Sequence, residues 1–270
     1  MQPLVEPGAV LGRNVSIGPF TIVHANVVLA DDVTIDSHCV IGQPTPLAGG
    51  RPLEIGPQSH IRSTASSMPA RRWARAFGPG TACSSARGRS PAGLQIGSQS
   101  EIQGDCRIGD FVKTHSSVHI AKQSRIGDFV WFYPRVQFTN DPLPPSDVVR
   151  GVTVGDLAVI ATGALLLPGV TLGAGAVVTA ASVVNADVPE VHVARGNPAR
   201  VVCRIDQLFD PHSGIAYPWP RHFRTGYPAA AMPRLDALLA DVEARLARAR
   251  GAAPARSVTA APRGREAARA

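Results

Sequence analysis

Several things are scarce in this chain of 270 residues, and each scarcity removes a class of protein. Charged residues make up 17% and aromatic ones 5%, too few for a disordered charged tail or an aromatic-rich binding surface to dominate. No run of about 18 apolar residues occurs, so membrane insertion as a helix is not expected. The opening residues, MQPLVEPG, have neither the basic stretch nor the apolar stretch of a secretory signal, and a cytoplasmic location is expected. The four cysteines show no paired or metal-type spacing, so no disulfide framework and no metal site is expected, which fits a reducing compartment.

The net charge of +7 invites a nucleic-acid partner, but the basic residues are not spread as a binding groove needs. Residues 62–93 hold six arginines and no acid, and residues 248–270 hold six arginines against Glu266. Without those +6 and +5 the rest of the chain stands at −4. The patterned body is mildly acidic, and no nucleic acid is expected as a partner.

The densest absence is SMPARRWARAFGPGTACSSARGRS, residues 67–90, with no acidic residue, no branched aliphatic and no hydrophobic period. Two readings stay open for it. One is a disordered excursion, whose signature is low hydrophobicity with excess charge. The other is a GC-rich coding segment read out of frame and restored near Gly93, which would leave a gap in the repeat.

What is present is a period of six. From Val5 onward every sixth residue is aliphatic: Leu11, Ile17, Val23, Leu29, Ile35 and Ile41. A loop at 43–54 breaks phase, Ile55 and Ile61 resume it, and it returns as Ile96, Ile102, Ile108, Thr114, Ile120, Ile126, Phe132 and Phe138. After a second loop come Val154, Ile160, Leu166, Leu172, Val178 and Val184, and among these 23 positions only Thr114 is polar. Six residues make one short strand and a turn, with the aliphatic side chain pointing inward. Three such sides close a triangular coil, and coils stack as parallel sheet at about 4.8 Å. No coil is stable alone, because each buries its aliphatics against its neighbours. Twenty-three repeats make between seven and eight coils. The residue after the aliphatic is often glycine or short and polar, which is expected to serve left-handed backbone at the corner. Cys39 and Cys106 fall at inward positions, as small buried thiols.

The segments IGPFTI, IGSQSEIQGDCRIGD and VTLGAGAVV resemble the hexapeptide-repeat acyltransferases. The resemblance covers roughly 5–61 and 94–205 and implies an all-β fold: a left-handed parallel β-helix of hexapeptide repeats, here with a C-terminal extension containing a helix. The handedness comes from the resemblance alone. The expected organisation is a β-helix domain over 1–205, irregular at 62–93 and looped at 139–151. An extension with an amphipathic helix follows over 206–249, then a basic disordered tail over 250–270.

The resemblance also implies chemistry. Gly196-Asn197-Pro198-Ala199-Arg200 is similar to the segment that closes many acetyl-CoA-dependent members, where Arg200 is placed to meet a phosphate. An Asn-Pro turn with a solvated arginine explains the same residues. Ala161, Gly163, Ala180 and Ala181 match by phase the small residues beside which the pantetheine arm lies between subunits of a trimer; they also suit tight corners. Acetyl-CoA as co-substrate and a homotrimer are therefore expected.

Acyl transfer from a thioester needs a base, and imidazole titrates near neutrality. In KTHSSVHIAK, the inward phase of Val118 and Ile120 turns His119 outward. Glu101 lies 18 residues earlier and Gln137 18 later, so stacking places Glu101 beside His119, where a carboxylate orients an imidazole. His115 likewise stacks with Tyr133. A solvated polar ladder is the plain alternative. The stretch Phe138-Thr139-Asn140-Asp141-Pro142 resembles nucleotide-sugar acyltransferases, and it offers Asn140 and Asp141 to a sugar; an Asn-Asp-Pro turn opening a loop is physically sufficient as well. The combined expectation is an N-acetyltransferase acting on a nucleotide-linked amino sugar, with His119, His115 and Glu101 catalytic and Tyr133, Asn140 and Asp141 at the substrate. O-acylation, or a non-catalytic assembly protein using its flat faces, remains open.

Overall fold

Each aliphatic of the six-residue period points to the axis of a triangular prism, and the short strands between corners pair with those 18 or more residues away. The computed structural model describes residues 2–43, 52–67, 83–84, 91–103, 106–209, 212 and 223–251. Its first twenty-four strands, three to a coil, complete eight stacked coils. The first face is one sheet of nine strands, the second a three-stranded and a five-stranded sheet, and the third a sheet of ten. Pairing along all three faces is parallel until the last step, where His192–Gly196 and Ala199–Arg204 form an antiparallel hairpin.

The inward aliphatics are buried from the second coil onward, from Val23, Leu29 and Ile35 through Val184. In the first coil Leu11 is 43% exposed, because no coil lies above it. The single polar inward residue, Thr114, is also buried, and its hydroxyl accepts the Gly97 N–H at 2.9 Å.

Two expectations are corrected here. The repeat does not stop at Ile61. Ser66–Ser67 pairs with Val40–Ile41 on one side and Glu101–Ile102 on the other, and Cys83–Ser84 pairs with Cys106–Arg107. With Gln95–Ile96 they give the fourth coil a strand on each face, although the second-face sheet divides between Leu53–Ile55 and Cys83–Ser84. Main-chain bonds, made to both neighbouring coils by Ser66–Ser67 and to the later coil by Cys83–Ser84, do not require an aliphatic side chain. Residues 68–82 and 85–90, on which the out-of-frame reading turns, lie outside the described residues.

The second correction concerns the corners. Left-handed backbone falls on the third residue after the aliphatic, and many of these are not glycine: Phe20, His38, Gln99, Ser117, Arg135 and Ala181 all have positive φ. The glycine directly after the aliphatic is required by crowding instead. A Cβ on Gly97 would stand 2.2 Å from the His115 main-chain oxygen.

The C-terminal extension covers the third face from the fifth coil onward. Helix α1 (Met232–Gly251) buries Leu235, Leu239, Val242 and Leu246 against Phe111, Phe129, Leu157, Val177 and Val191. Each such burial contributes about 1.5–3 kcal/mol. Arg234 clamps the helix to Asp110 and Asp128, whose carboxylates also accept main-chain N–H groups from Ala92 and Asp110. Residues 213–222 lie outside the described residues, but Phe223 and Tyr227 pack on Trp131, Phe111 and Phe129, at the flank of the fifth and sixth coils. No helix among the described residues is long and apolar enough to cross a membrane.

Candidate functional site

The corner between the third and first faces carries most of the residues singled out from sequence. His119 and Ile120 form a first-face strand in register with Glu101–Ile102 above and with Gln137 below. The His119 Nδ1 lies 3.2 Å from Glu101 Oε2, with both side chains about one-third exposed at 27% and 34%. A carboxylate accepting the Nδ1 proton fixes the tautomer and leaves Nε2 as the basic nitrogen. Gln137 turns its amide to the Ser117 main-chain oxygen at 2.9 Å and so braces the turn that leads into His119.

His115 opens that same turn. Its ring stacks on Tyr133 with centroids 4.9 Å apart and planes 14° from parallel. Partial burial, then the charges of Arg62 and Lys113, hold its imidazole below the usual histidine range. Near pH 7 it is therefore a neutral ring, while His119 is the histidine with a carboxylate partner. Ser100, buried to 2%, pins both ends of the turn: its hydroxyl donates to the His115 oxygen at 3.0 Å and accepts the Val118 N–H at 3.2 Å.

Below Tyr133 the same corner becomes small and open. Ala161 follows in the next coil, and Gly163, with φ +70, has nothing within 4 Å of a Cβ position. Ala180 and Ala181 are exposed at the corner of the eighth coil. Ser182, fully buried there, accepts the Gly196 N–H at 3.1 Å and so fastens the tip of the terminal hairpin to this edge. Asn197 and Arg200 are exposed at that tip, with Arg200 Nη1 donating to the Ala199 oxygen at 2.9 Å. From the coil of His119 to the hairpin is three to four strand spacings, about 14–19 Å.

The loop after Phe138 leaves the far edge of the first face. The Arg150 N–H donates to the Asn140 main-chain oxygen at 2.8 Å and closes it. Asp141 spends both carboxylate oxygens inside the loop, accepting the Ser146 hydroxyl and the N–H groups of Ser146 and Leu143. The Ser146 hydroxyl chiefly holds this carboxyl below the usual range. Asp141 thus organises its loop, as an Asn-Asp-Pro turn requires. Among the described residues no group of three His, Cys, Asp or Glu side chains is placed to share a metal ion.

Sequence reasoning did not find Arg62, Ser100 or Ser182. The two serines occupy the small-residue position of the repeat, where a hydroxyl gives no signal different from packing. Thr114 was visible as the one polar inward residue, and its role is to hold Gly97 against the strand that leads into His115.

Comparison with known proteins agrees with this architecture. Residues 5–43 match a family model described as the bacterial transferase hexapeptide (six repeats). The UDP-N-acetylglucosamine acyltransferase of Campylobacter jejuni superposes with a TM-score of 0.53 over 78% of each chain, at 20% identity. Together these make the fold a left-handed parallel β-helix. Residues 5–43 thus carry the hexapeptide repeat, and the chain has the fold of the acyltransferase on which it superposes. Over short stretches the chain is closer to curated relatives. It is 45% identical over 56 residues to a candidate acetyltransferase of Saccharomyces cerevisiae, covering 21% of this chain and 29% of that protein. It is 40% identical over 58 residues to the acyl-[acyl-carrier-protein]–UDP-N-acetylglucosamine O-acyltransferase of Chlamydia abortus, covering 22% of this chain and 20% of that protein. The chain thus spans between a fifth and a third of the length of these curated relatives.

Proposed function

We propose that this chain transfers an acetyl group from acetyl-CoA to the amine of a nucleotide-linked amino sugar. The observation that carries the reading is the Glu101–His119 pair, set outward at the head of an edge that runs through small residues to the Asn197–Arg200 hairpin. Acetyl-CoA, when bound, supplies the reactive thioester carbonyl. His119 Nε2 accepts the proton of the amine as its nitrogen bonds to that carbonyl, Glu101 stabilises the imidazolium that results, and the proton passes to the coenzyme A sulfur as the C–S bond breaks. Outward main-chain N–H groups at the corner hold the developing oxyanion. Ala161, Gly163, Ala180 and Ala181 let an extended arm approach the backbone, and Arg200 with Asn197 offers the far end to phosphate. Tyr133 and the Asn140 side chain flank the acceptor, with Asp141 shaping the loop that presents it.

A homotrimer in the cytoplasm fits this reading. From the fifth coil onward the third face is covered by the extension, and the second presents exposed Arg125, Thr153 and Thr171. The first face presents Ile22, Val40, Leu165 and Val183 around the His119 row, and is the apolar side left for neighbouring copies. A second reading, transfer to a hydroxyl, is favoured by the name of the Chlamydia abortus protein, an O-acyltransferase of UDP-N-acetylglucosamine. The same base serves it.

Acetyl-CoA at about 100 times its Kd is expected to stabilise the protein by about 2.7 kcal/mol, seen as a raised Tm. Thiol release from acetyl-CoA is then measured against nucleotide-linked amino sugars and their hydroxyl analogues. Absence of any thermal shift at saturation would sink the enzyme reading and leave an assembly protein. Turnover with hydroxyl acceptors alone would replace N-transfer by O-transfer.

A further inference from the structure

The C-terminal extension reaches to within two residues of the candidate site through the third face. Lys113 and Trp131 are outward neighbours in register there, and two residues further along each strand stand His115 and Tyr133, the stacked pair of the corner. Tyr227 touches both supports. Its hydroxyl accepts the Trp131 Nε1–H at 2.5 Å, and its ring lies 3.8 Å from Lys113 Nζ. The same ammonium is 5.0 Å from the Trp131 ring and donates to the main-chain oxygens of Thr225 and Gly226, each at 3.4 Å. Tyr227 is itself wedged edge-on against Phe129 and Phe111, with centroids 5.0 Å and 5.9 Å away.

We propose that Tyr227 is a positioning residue: from the C-terminal extension it fixes Lys113 and Trp131, and through them the stacked His115–Tyr133 pair. This rests on the reading of that corner as the acyl-transfer site. Between each support and its site residue stands one inward side chain, Thr114 or Phe132, buried to 7% and 0%. The connecting backbone therefore has no freedom to absorb a displacement, and a shift at the face is delivered to the corner.

The brace also has an electrostatic consequence. Aromatic faces and carbonyl oxygens keep the Lys113 ammonium on the protein instead of letting it swing into water. Burial pushes the Lys113 amine down, and its charge, with that of Arg62 in the corner above, disfavours a second positive charge on His115. Among the described residues those two cations are the charged groups that act on the ring, and Tyr133 is its neighbour below. A neutral His115 leaves the proton traffic to His119.

The test is three variants of the full chain: Tyr227→Ala, Tyr227→Phe and Lys113→Met. The His115 titration is followed by NMR, alongside Tm, kcat and KM. In Tyr227→Ala the His115 midpoint is expected to rise, and kcat to fall about tenfold while KM for acetyl-CoA stays within about twofold. Tyr227→Phe keeps the ring under Lys113 and is expected to keep the His115 midpoint. Lys113→Met removes the cation but keeps the apolar stem, and is expected to raise the midpoint with Tm unchanged, so it decides the matter even if Tyr227→Ala does not fold. An unchanged midpoint in both Tyr227→Ala and Lys113→Met, or an unchanged kcat in folded Tyr227→Ala, overturns the proposal. A wild type that acylates no acceptor overturns the functional reading instead, and the NMR titration still decides the brace.

Discussion

Replacing Gly97 by alanine is expected to destabilise the fifth coil and to disturb the site directly below Gly97. The added Cβ would lie 2.2 Å from the His115 main-chain oxygen, 2.3 Å from its carbonyl carbon and 2.8 Å from the Ser116 nitrogen. All three are backbone atoms, so no side chain can rotate away. Contact near 3.5 Å demands that the two coils separate by about 1 Å. Overpacking of this kind costs about 1–3 kcal/mol. The separation also loosens the 2.9 Å bond from Gly97 N–H to the Thr114 hydroxyl, worth about 1 kcal/mol. The expected loss is about 2–4 kcal/mol. Gly163→Ala is the control: its Cβ meets nothing within 4 Å, and only the φ of +70 opposes it, at about 1–2 kcal/mol. Urea unfolding followed by tryptophan fluorescence at one fixed protein concentration reads both. A Gly97→Ala protein within about 0.5 kcal/mol of wild type, or one less affected than Gly163→Ala, would refute the crowding argument and with it the account of why glycine follows the aliphatic.

Three further outcomes are expected. His119→Ala lowers kcat by about 10²–10⁴-fold with folding intact, and Glu101→Gln, which keeps shape but loses the charge that supports an imidazolium, lowers it less, by about tenfold; steady-state kinetics with circular dichroism as the folding control check both. Arg200→Ala weakens binding of coenzyme A more than that of its dephospho form, read by calorimetry, and equal weakening of the two would remove Arg200 from the phosphate. Arg234→Met removes the cation beside the buried Asp110 carboxylate, which also accepts the Ala92 N–H, and costs about 3 kcal/mol of stability. Hydrogen exchange on that variant is expected to show α1 opening ahead of the β-helix.

The fold was legible because its signal is repeated. A single aliphatic at Ile102 says little, but Ile96, Ile102 and Ile108 in phase with Val23 and Leu166 leave few other structures possible. The Glu101–His119 contact was legible for the same reason, since a regular coil converts a separation of 18 residues into one strand spacing. The stack of His115 on Tyr133 follows from that arithmetic too. Cys83–Ser84 was not legible: its place in the fourth coil is held by pairing with Cys106–Arg107, which leaves no periodic mark on residues 67–90. The sequence left two roles open for Asp141, because a carboxylate in an Asn-Asp-Pro segment looks alike whether it faces a sugar or its own Ser146. Ser100 and Ser182 were invisible, as a small residue at a small-residue position carries no pattern.

By itself the sequence determined the coil, its inward row and the register that brings Glu101 beside His119, because those depend only on spacing along a regular repeat. The tertiary structure alone decided which corner the separate candidates share, since His115, Ala161, Ala181 and Asn197 meet there only once the coils are stacked. It also decided which face the C-terminal helix covers, and so placed Tyr227 behind Lys113 across more than one hundred residues of chain. Contacts of that kind depend on outward side chains and on a segment without the period, and for these no spacing rule exists.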